Sequence, residues 1–264
     1  MLGNYKINWK PGKRIVVIPD LQVRQGVPTK HIIWAARCVA EYGPDHVVQI
    51  GDWFDMPSLS SYTSRARKAF DRKSYRKDID AGNAALDMFD EELARLGAAP
   101  AEYHITLGNH ENRINRAIEA DPDLADYHST DDMQFAEHGW HVHEFLAPLD
   151  LCGIRFQHFF PQNTRGRVMQ TTRGSASAGA QMNAIQQSCI SGHQQGLDMH
   201  IRPGLEGGAK WSIIAGSFYL HNEAYLSPCG NNDWRGIIVC NDVRNGTFDP
   251  MPLSMDYLAR KYGR

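Results

Sequence analysis

Five places along this chain set oxygen and nitrogen donors where a strand should end. "VIPDLQV" carries Asp20 and Gln22, "GDWFD" carries Asp52 and Asp55, and "LGNHE" carries Asn109, His110 and Glu111. His158 follows "GIRFQ", and His193 and Gln195 lie in "SGHQQ". Asp20 and Gln22 are two residues apart, so on an extended chain their side chains point the same way. Each residue alone has an ordinary explanation: Asp and Asn favour turns and helix caps, and Gly51 and Gly108 would punctuate loops. Five strand ends of this kind, in this order, are hard to attribute to turn chemistry. Ligands of open α/β sheets collect at the carboxyl ends of strands, so the pattern points to one assembled ligand site.

The elements that must position these residues alternate in the first half. "KRIVVIPD", "DHVVQIGD" and "AEYHITLGNH" read as strands. Between them stand a helix starting at Pro28 and Thr29 and stopping at Gly43, and a long amphipathic helix over residues 77–97 ending at Gly97. This rhythm indicates parallel strands with helical crossovers. The second half is richer in strand: "GWHVHEF", "DLCGIRFQH", "CISGH", "WSIIAGSF" and "WRGIIVCNDV", then "RNG" as a turn and "FDPMPLSMDYL" as a last strand. A helix over roughly residues 176–187 interrupts it. No linker or repeat divides the chain, and residues 1–264 read as one domain.

The order D-x-[H/Q], G-D-x-x-D, G-N-H-[E/D], H, G-H-x-[H/Q] resembles the calcineurin-like metallophosphoesterase superfamily. The likeness runs from Asp20 to Gln195, with "GDWFD" and "LGNHE" as its specific pieces. "MPSLSSY" and the late "WRGIIV" also resemble the phage-encoded branch of that superfamily. The resemblance implies an α/β fold, a four-layer αββα sandwich of two mixed sheets with outer helices. It implies a two-metal site that hydrolyses phosphate esters. Carried over by position, Asp20, Gln22 and Gln195 would bind the first metal, and Asn109, His158 and His193 the second, with Asp52 bridging. His110 would face the leaving group, and Asp55 would hold its imidazole.

The chemistry agrees with that assignment. Two divalent cations bring four positive charges, and Asp20 and Asp52 return two negative ones. The remainder draws in phosphate and lowers the pKa of water at the site. The chain departs from the usual pattern at Gln22 and Gln195, where family members have His. Carboxamide and carboxylate oxygens favour Mg²⁺, Mn²⁺ or Ca²⁺, whereas imidazoles also suit Zn²⁺, Fe and Mn²⁺. Mn²⁺ tolerates both, so two divalent ions with Mn²⁺ favoured are the expected cofactors.

The 264 residues are 42% hydrophobic with a net charge of −2, enough for a sizeable core and against general polyanion binding. The five cysteines are widely spaced with no C-x-x-C and read as reduced thiols. No apolar run is long enough to span a membrane, and the N-terminus lacks a signal-peptide core, so the expected location is cytoplasmic, in the host if phage-encoded. His104 lies inside a strand and reads as structural; His138, His141 and His143 read as surface or core imidazoles.

Three functions compete: a phosphodiesterase or nuclease on nucleic acid or nucleotides, a phosphomonoesterase, and a non-catalytic scaffold. Intact Asp52, Asn109 and His110 argue against the last. The second is weakened for protein substrates by Met56, where phosphoprotein phosphatases carry Arg. "RARKAFDRKSYRK", residues 65–77, tilts the choice toward the first, because bases interleaved with Phe70 and Tyr75 suit single-stranded nucleic acid. Arg72 and Lys73 from this segment, and Arg113 and Arg116 after "GNHE", are the candidate phosphate contacts; a solvated helix face explains the same residues about as well.

Overall fold

The computed structural model describes residues 10–61, 74–161, 177–204, 208–222 and 232–263. Two sheets face each other. The first runs β11-β10-β1-β2-β3-β4, built from β1 (Lys13–Ile18), β2 (His46–Gln49), β3 (Glu102–Thr106), β4 (Trp140–His143), β10 (Gly236–Arg244) and β11 (Thr247–Ser254). Strands β1 to β4 are parallel, and β10 and β11 add on antiparallel. The second sheet runs β5-β6-β7-β9-β8, from β5 (Leu149–Leu151), β6 (Ile154–Gln157), β7 (Cys189–Ser191), β8 (Leu197–Pro203) and β9 (Ala209–Ala215). There β6, β7 and β9 are parallel, with antiparallel partners at both edges.

Alternation along the central strands explains the layering. Ile15 and Val17 face the second sheet and join Val48, Phe156, Ile190 and Ile213 in a core between the sheets. Val16 and Ile18 face the other way, into a core with Ile32, Val39, Leu86, Phe89 and Leu258. Those last residues belong to the outer helices α1 (Lys30–Tyr42), α2 (Tyr75–Leu96) and α5 (Met255–Tyr262). Strands buried on both faces read as unbroken apolar runs, as "IVVI" does. A short helix, α3 (Arg113–Ala120), follows the β3 loop, and α4 (Ala178–Ile185) covers the second sheet at β7, β8 and β9. The result is the expected α/β arrangement of two mixed sheets with helices outside.

Three local readings change. "DLCGIRFQH" is a hairpin of β5 and β6, because Cys152 and Gly153 both take positive φ, 52° and 82°, and turn the chain. "FDPMPLSMDYL" switches from strand to helix at Ser254, whose hydroxyl accepts from the Tyr257 N–H at 3.3 Å and caps α5. Strand β8, an edge strand of mixed polarity, carries too weak an alternation to be read beforehand.

Candidate metal centre

The carboxyl ends of β1, β2 and β3 from one sheet, and β6 and β7 from the other, lead into loops that meet at one place. The Asp52 loop is the hub. Its carbonyl accepts from the N–H groups of Leu21 and Gln22 at 2.9 and 2.8 Å, tying the β2 loop to the β1 loop. Its Oδ1 accepts from the His110 N–H at 3.0 Å, tying it to the β3 loop. The glycines of these motifs do more than punctuate. A Cβ on Gly108 would lie 2.1 Å from Asp52 Oδ1, and one on Gly51 would lie 2.7 Å from both Gly108 and His158 Nδ1. Only two glycines let these loops stack so closely.

Asp52, His158 and His193 present ligand atoms within 4.8 Å of one another. His158 donates from Nδ1 to the Ile50 carbonyl at 2.8 Å, which turns Nε2 toward Asn109 Oδ1 at 2.9 Å and Asp52 Oδ2 at 3.4 Å. A ring nitrogen fixed to a backbone carbonyl is how a protein orients an imidazole ligand. Asp20 is wholly buried; its Oδ1 accepts from the His193 N–H at 3.1 Å, while Oδ2 has no hydrogen bond. Gln22 is likewise buried, with Oε1 unpartnered. Gln195 differs: its Oε1 accepts from the Tyr219 hydroxyl at 2.7 Å.

Three of these residues sit in left-handed backbone conformations, Gln22 at φ 44°, Asp52 at 55° and His193 at 66°. Each costs about 1–3 kcal/mol for a residue with a side chain, and such strain concentrates at functional sites.

The charges are poised accordingly. Burial pushes the Asp20 carboxyl up to about 7, with the neighbouring Asp52 charge adding to the shift. Burial acts the same way on Asp52, but the His110 and His158 imidazoles outweigh it and hold Asp52 well below the carboxylate range. Burial would lower His158, yet Asp52 raises it to about 9.

His110 and Asp55 form a second group beside the first. His110 Nδ1 lies 3.0 Å from Asp55 Oδ1, and Nε2 lies 3.7 Å from Asp52 Oδ2. Asp55 Oδ2 accepts from Arg24 at 2.5 Å. Against the cost of burial, His110 and Arg24 hold Asp55 well below its usual range. Arg113 donates to the carbonyls of Asp55 and Met56 at 2.6 and 3.2 Å, so it braces that loop from α3. Arg116, on the same helix, is exposed. Arg72 and Lys73 lie outside the described residues. Within the basic segment, Arg76 pairs with Asp80 at 3.0 Å, and the Tyr75 hydroxyl donates to the Ser129 carbonyl at 3.0 Å while its ring packs on His128.

Two contributors go beyond the motif reading. Glu111 is wholly buried and accepts from three backbone N–H groups, those of Asp52 at 2.9 Å, Gly108 at 2.7 Å and Phe54 at 2.9 Å. It fixes the loop that presents Asp52, and its place in "GNHE" was the available signal. Arg24, two residues after Gln22, has no such signal: only the fold brings it to Asp55.

No family model matches the chain. It is 27% identical over 237 residues to the gene 54 protein of Mycobacterium phage L5, covering 84% of this chain and 86% of that one. Among solved structures, it is similar to a dimetal phosphatase from Danio rerio, at 11% identity and a TM-score of 0.38, covering 93% of this chain and 99% of that one. The TT1561 protein of Thermus thermophilus is similar at 8% identity and a TM-score of 0.37, covering 91% and 99%. Likeness this distant leaves the function to be judged from the site itself.

Proposed function

We propose that the chain is a metal-dependent phosphoester hydrolase with a two-metal centre. The observation that carries this reading is the buried donor set at the meeting point of the two sheets. Asp52, His158 and His193 converge, and beside them Asp20 Oδ2 and Gln22 Oε1 are buried without hydrogen bonds. Buried polar atoms are ordinarily paired, and burial raises the Asp20 carboxyl to about 7 even with the His158 imidazole working against the shift. A divalent cation supplies what both atoms need. Asp20 and Gln22 would hold one ion, Asn109, His158 and His193 the other, with Asp52 between. Gln195, committed to Tyr219, would contribute through its remaining lone pair. The mixture of carboxamide oxygen and imidazole favours Mn²⁺.

Such ions lower the pKa of water and neutralise phosphate oxygens. The protein's own residues do the rest. Asp55 keeps the Nδ1 side of His110 in place, Arg24 keeps the Asp55 carboxylate ionised, and Arg113 fixes the Asp55 backbone through its carbonyl. That leaves His110 Nε2, directed toward Asp52, to hold a proton for the departing oxygen. Asp52 and Asp55 together outweigh burial and raise its pKa, which favours the donor form.

Within the class, a phosphodiester of nucleic acid or nucleotide type is the substrate we favour. Its support is the sequence of residues 65–77, with seven Lys or Arg beginning ten positions beyond Asp55 of "GDWFD". The test is hydrolysis of bis- and mono-p-nitrophenyl phosphate, then of single-stranded and duplex DNA, with Mn²⁺ and after chelation. Diester turnover abolished by the chelator supports the reading. Preference for the monoester removes the diester assignment, and no metal-dependent turnover on any substrate removes the hydrolase.

A further inference from the structure

A second donor cluster lies at the opposite end of the first sheet, where β2 and β3 begin. His46 and Glu102 are the first residues of their strands and pair in register. His104 follows two residues on, so it shares the face of His46. Both imidazoles are 8% exposed, and His46 Nδ1 and His104 Nε2 have no hydrogen bond. Both nitrogens lie near one atom, Glu102 Oε2, at 3.0 and 3.8 Å. All three ligand atoms fall within 4.8 Å of one another. Tetrahedral Zn²⁺ with bonds of about 2.0–2.1 Å separates its ligand atoms by roughly 3.3 Å.

The far sides of the two rings are occupied. His104 Nδ1 lies 3.4 Å from His143 Nε2, and His46 Nε2 lies 3.9 Å from Cys152 Sγ in the β5–β6 turn. That is the outer arrangement that aims an imidazole ligand: one nitrogen engaged by a neighbour, the other turned to the ion. The His46–Glu102 contact alone is an ordinary ion pair; the second imidazole, His104, aimed at the same oxygen from 3.8 Å, is what makes the three a ligand set.

We infer that His46, Glu102 and His104 form a separate mononuclear site for a borderline transition metal of the Zn²⁺ type. Two imidazoles and one carboxylate are a recognised zinc ligand set, leaving a fourth position for solvent. The imidazoles disfavour Mg²⁺ and Ca²⁺. The site would clamp the starts of β2 and β3 together, away from the loops that carry Asp52. It does not depend on the function proposed above.

The experiment is Zn²⁺ binding by equilibrium dialysis on chelator-stripped full-length protein, with metal counted by atomic absorption and Co²⁺ absorption spectra as a second readout. Glu102→Gln is a safe variant because its side chain is 64% exposed; His104→Gln removes a ring. We expect wild type to take up one more Zn²⁺ than either variant, or to bind it about 10–100-fold more tightly. The same difference should persist in an Asp52→Asn background, which separates this site from the other centre. Excess Mg²⁺ should not abolish it. Equal stoichiometry and affinity in wild type, Glu102→Gln and His104→Gln, each with native circular dichroism, overturns the site.

Discussion

His110 Nδ1 stands 3.0 Å from Asp55 Oδ1, and that carboxylate is itself held by Arg24 through its other oxygen. The chain Arg24–Asp55–His110 fixes one ring nitrogen and leaves the other facing Asp52. A proton donor so arranged should matter most when the leaving group is poor. His110→Ala should lose about 10²–10⁴-fold in kcat/KM on an alkyl ester and less on a nitrophenyl ester. Its metal content should match wild type, because His110 is not among the proposed ligands. Equal losses on both esters would remove His110 from the leaving-group role.

Asp55→Asn tests the same chain one step back. The carboxamide can still accept from Arg24, but it no longer favours the charged imidazole. The pKa of His110 should fall, and the acidic form should be lost at lower pH than in wild type. The measurable outcome is a downward shift of the alkaline limb of the kcat/KM profile. An unmoved limb with unchanged metal content would mean that Asp55 only supports the loop.

The two glutamines should not behave alike. Gln22 Oε1 is buried and unpartnered, whereas Gln195 Oε1 already accepts from Tyr219. Gln22→His places a softer donor in the cavity and should move metal preference from Mn²⁺ toward Zn²⁺ or Fe. Gln195→His should move it less, and Tyr219→Phe should strengthen whatever role Gln195 has by freeing its oxygen. Metal competition followed by elemental analysis measures all three. Identical preference in wild type and Gln22→His would exclude Gln22 as a ligand.

The strand runs and the order of polar strand ends were legible because both depend on local pattern: "IVVI" is apolar on both faces, and "GDWFD" and "LGNHE" follow such runs directly. The left-handed conformations of Gln22, Asp52 and His193 were not legible, since nothing local asks a residue with a side chain to adopt them. At Asp52 the surrounding loops stack closely through Gly51 and Gly108, an arrangement that exists only in the folded chain. Arg24 and Tyr219 escape a reading of the sequence for a related reason, as each meets its partner only after the sheets assemble. His104 reads as a structural residue inside a strand, and it does lie in β3. Its unpartnered nitrogen depends on β2, β3 and β4 lying in register, which no single segment reveals.

Glu111 predicts a stability effect. Its two oxygens accept from three backbone N–H groups, and burial raises its pKa. Glu111→Gln would turn an amide N–H toward at least one of those donors. Leaving a buried donor unsatisfied costs about 1–3 kcal/mol. Urea denaturation should show a lower midpoint with an unchanged slope. A midpoint equal to wild type would mean the loop reorganises without Glu111.

His31 predicts how stability should depend on pH. It is wholly buried on α1, its ring edge-on to Phe218 at 6.0 Å, and burial lowers its pKa from 6.5 to about 3. The Leu21 backbone works against this shift, and the positive charge of Arg235 pushes with it. The folded pKa is below the unfolded one, so on acidification the unfolded chain takes up this proton first. Stability from the neutral imidazole is therefore full above the unfolded value and falls as pH drops from 6.5 toward 3. Between about pH 7 and pH 5 this one group should remove about 2 kcal/mol, since each tenfold difference in proton affinity between the two states is worth about 1.4 kcal/mol. His31→Leu keeps an apolar side chain in the same core and cannot take up a proton. Carboxylates titrate equally in both proteins, so the difference between them isolates His31. Urea unfolding of wild type and His31→Leu across this range should give stability curves that diverge as pH falls, the wild type losing more. Parallel curves would show that the folded protein accommodates a charged His31, and that burial does not hold the ring neutral.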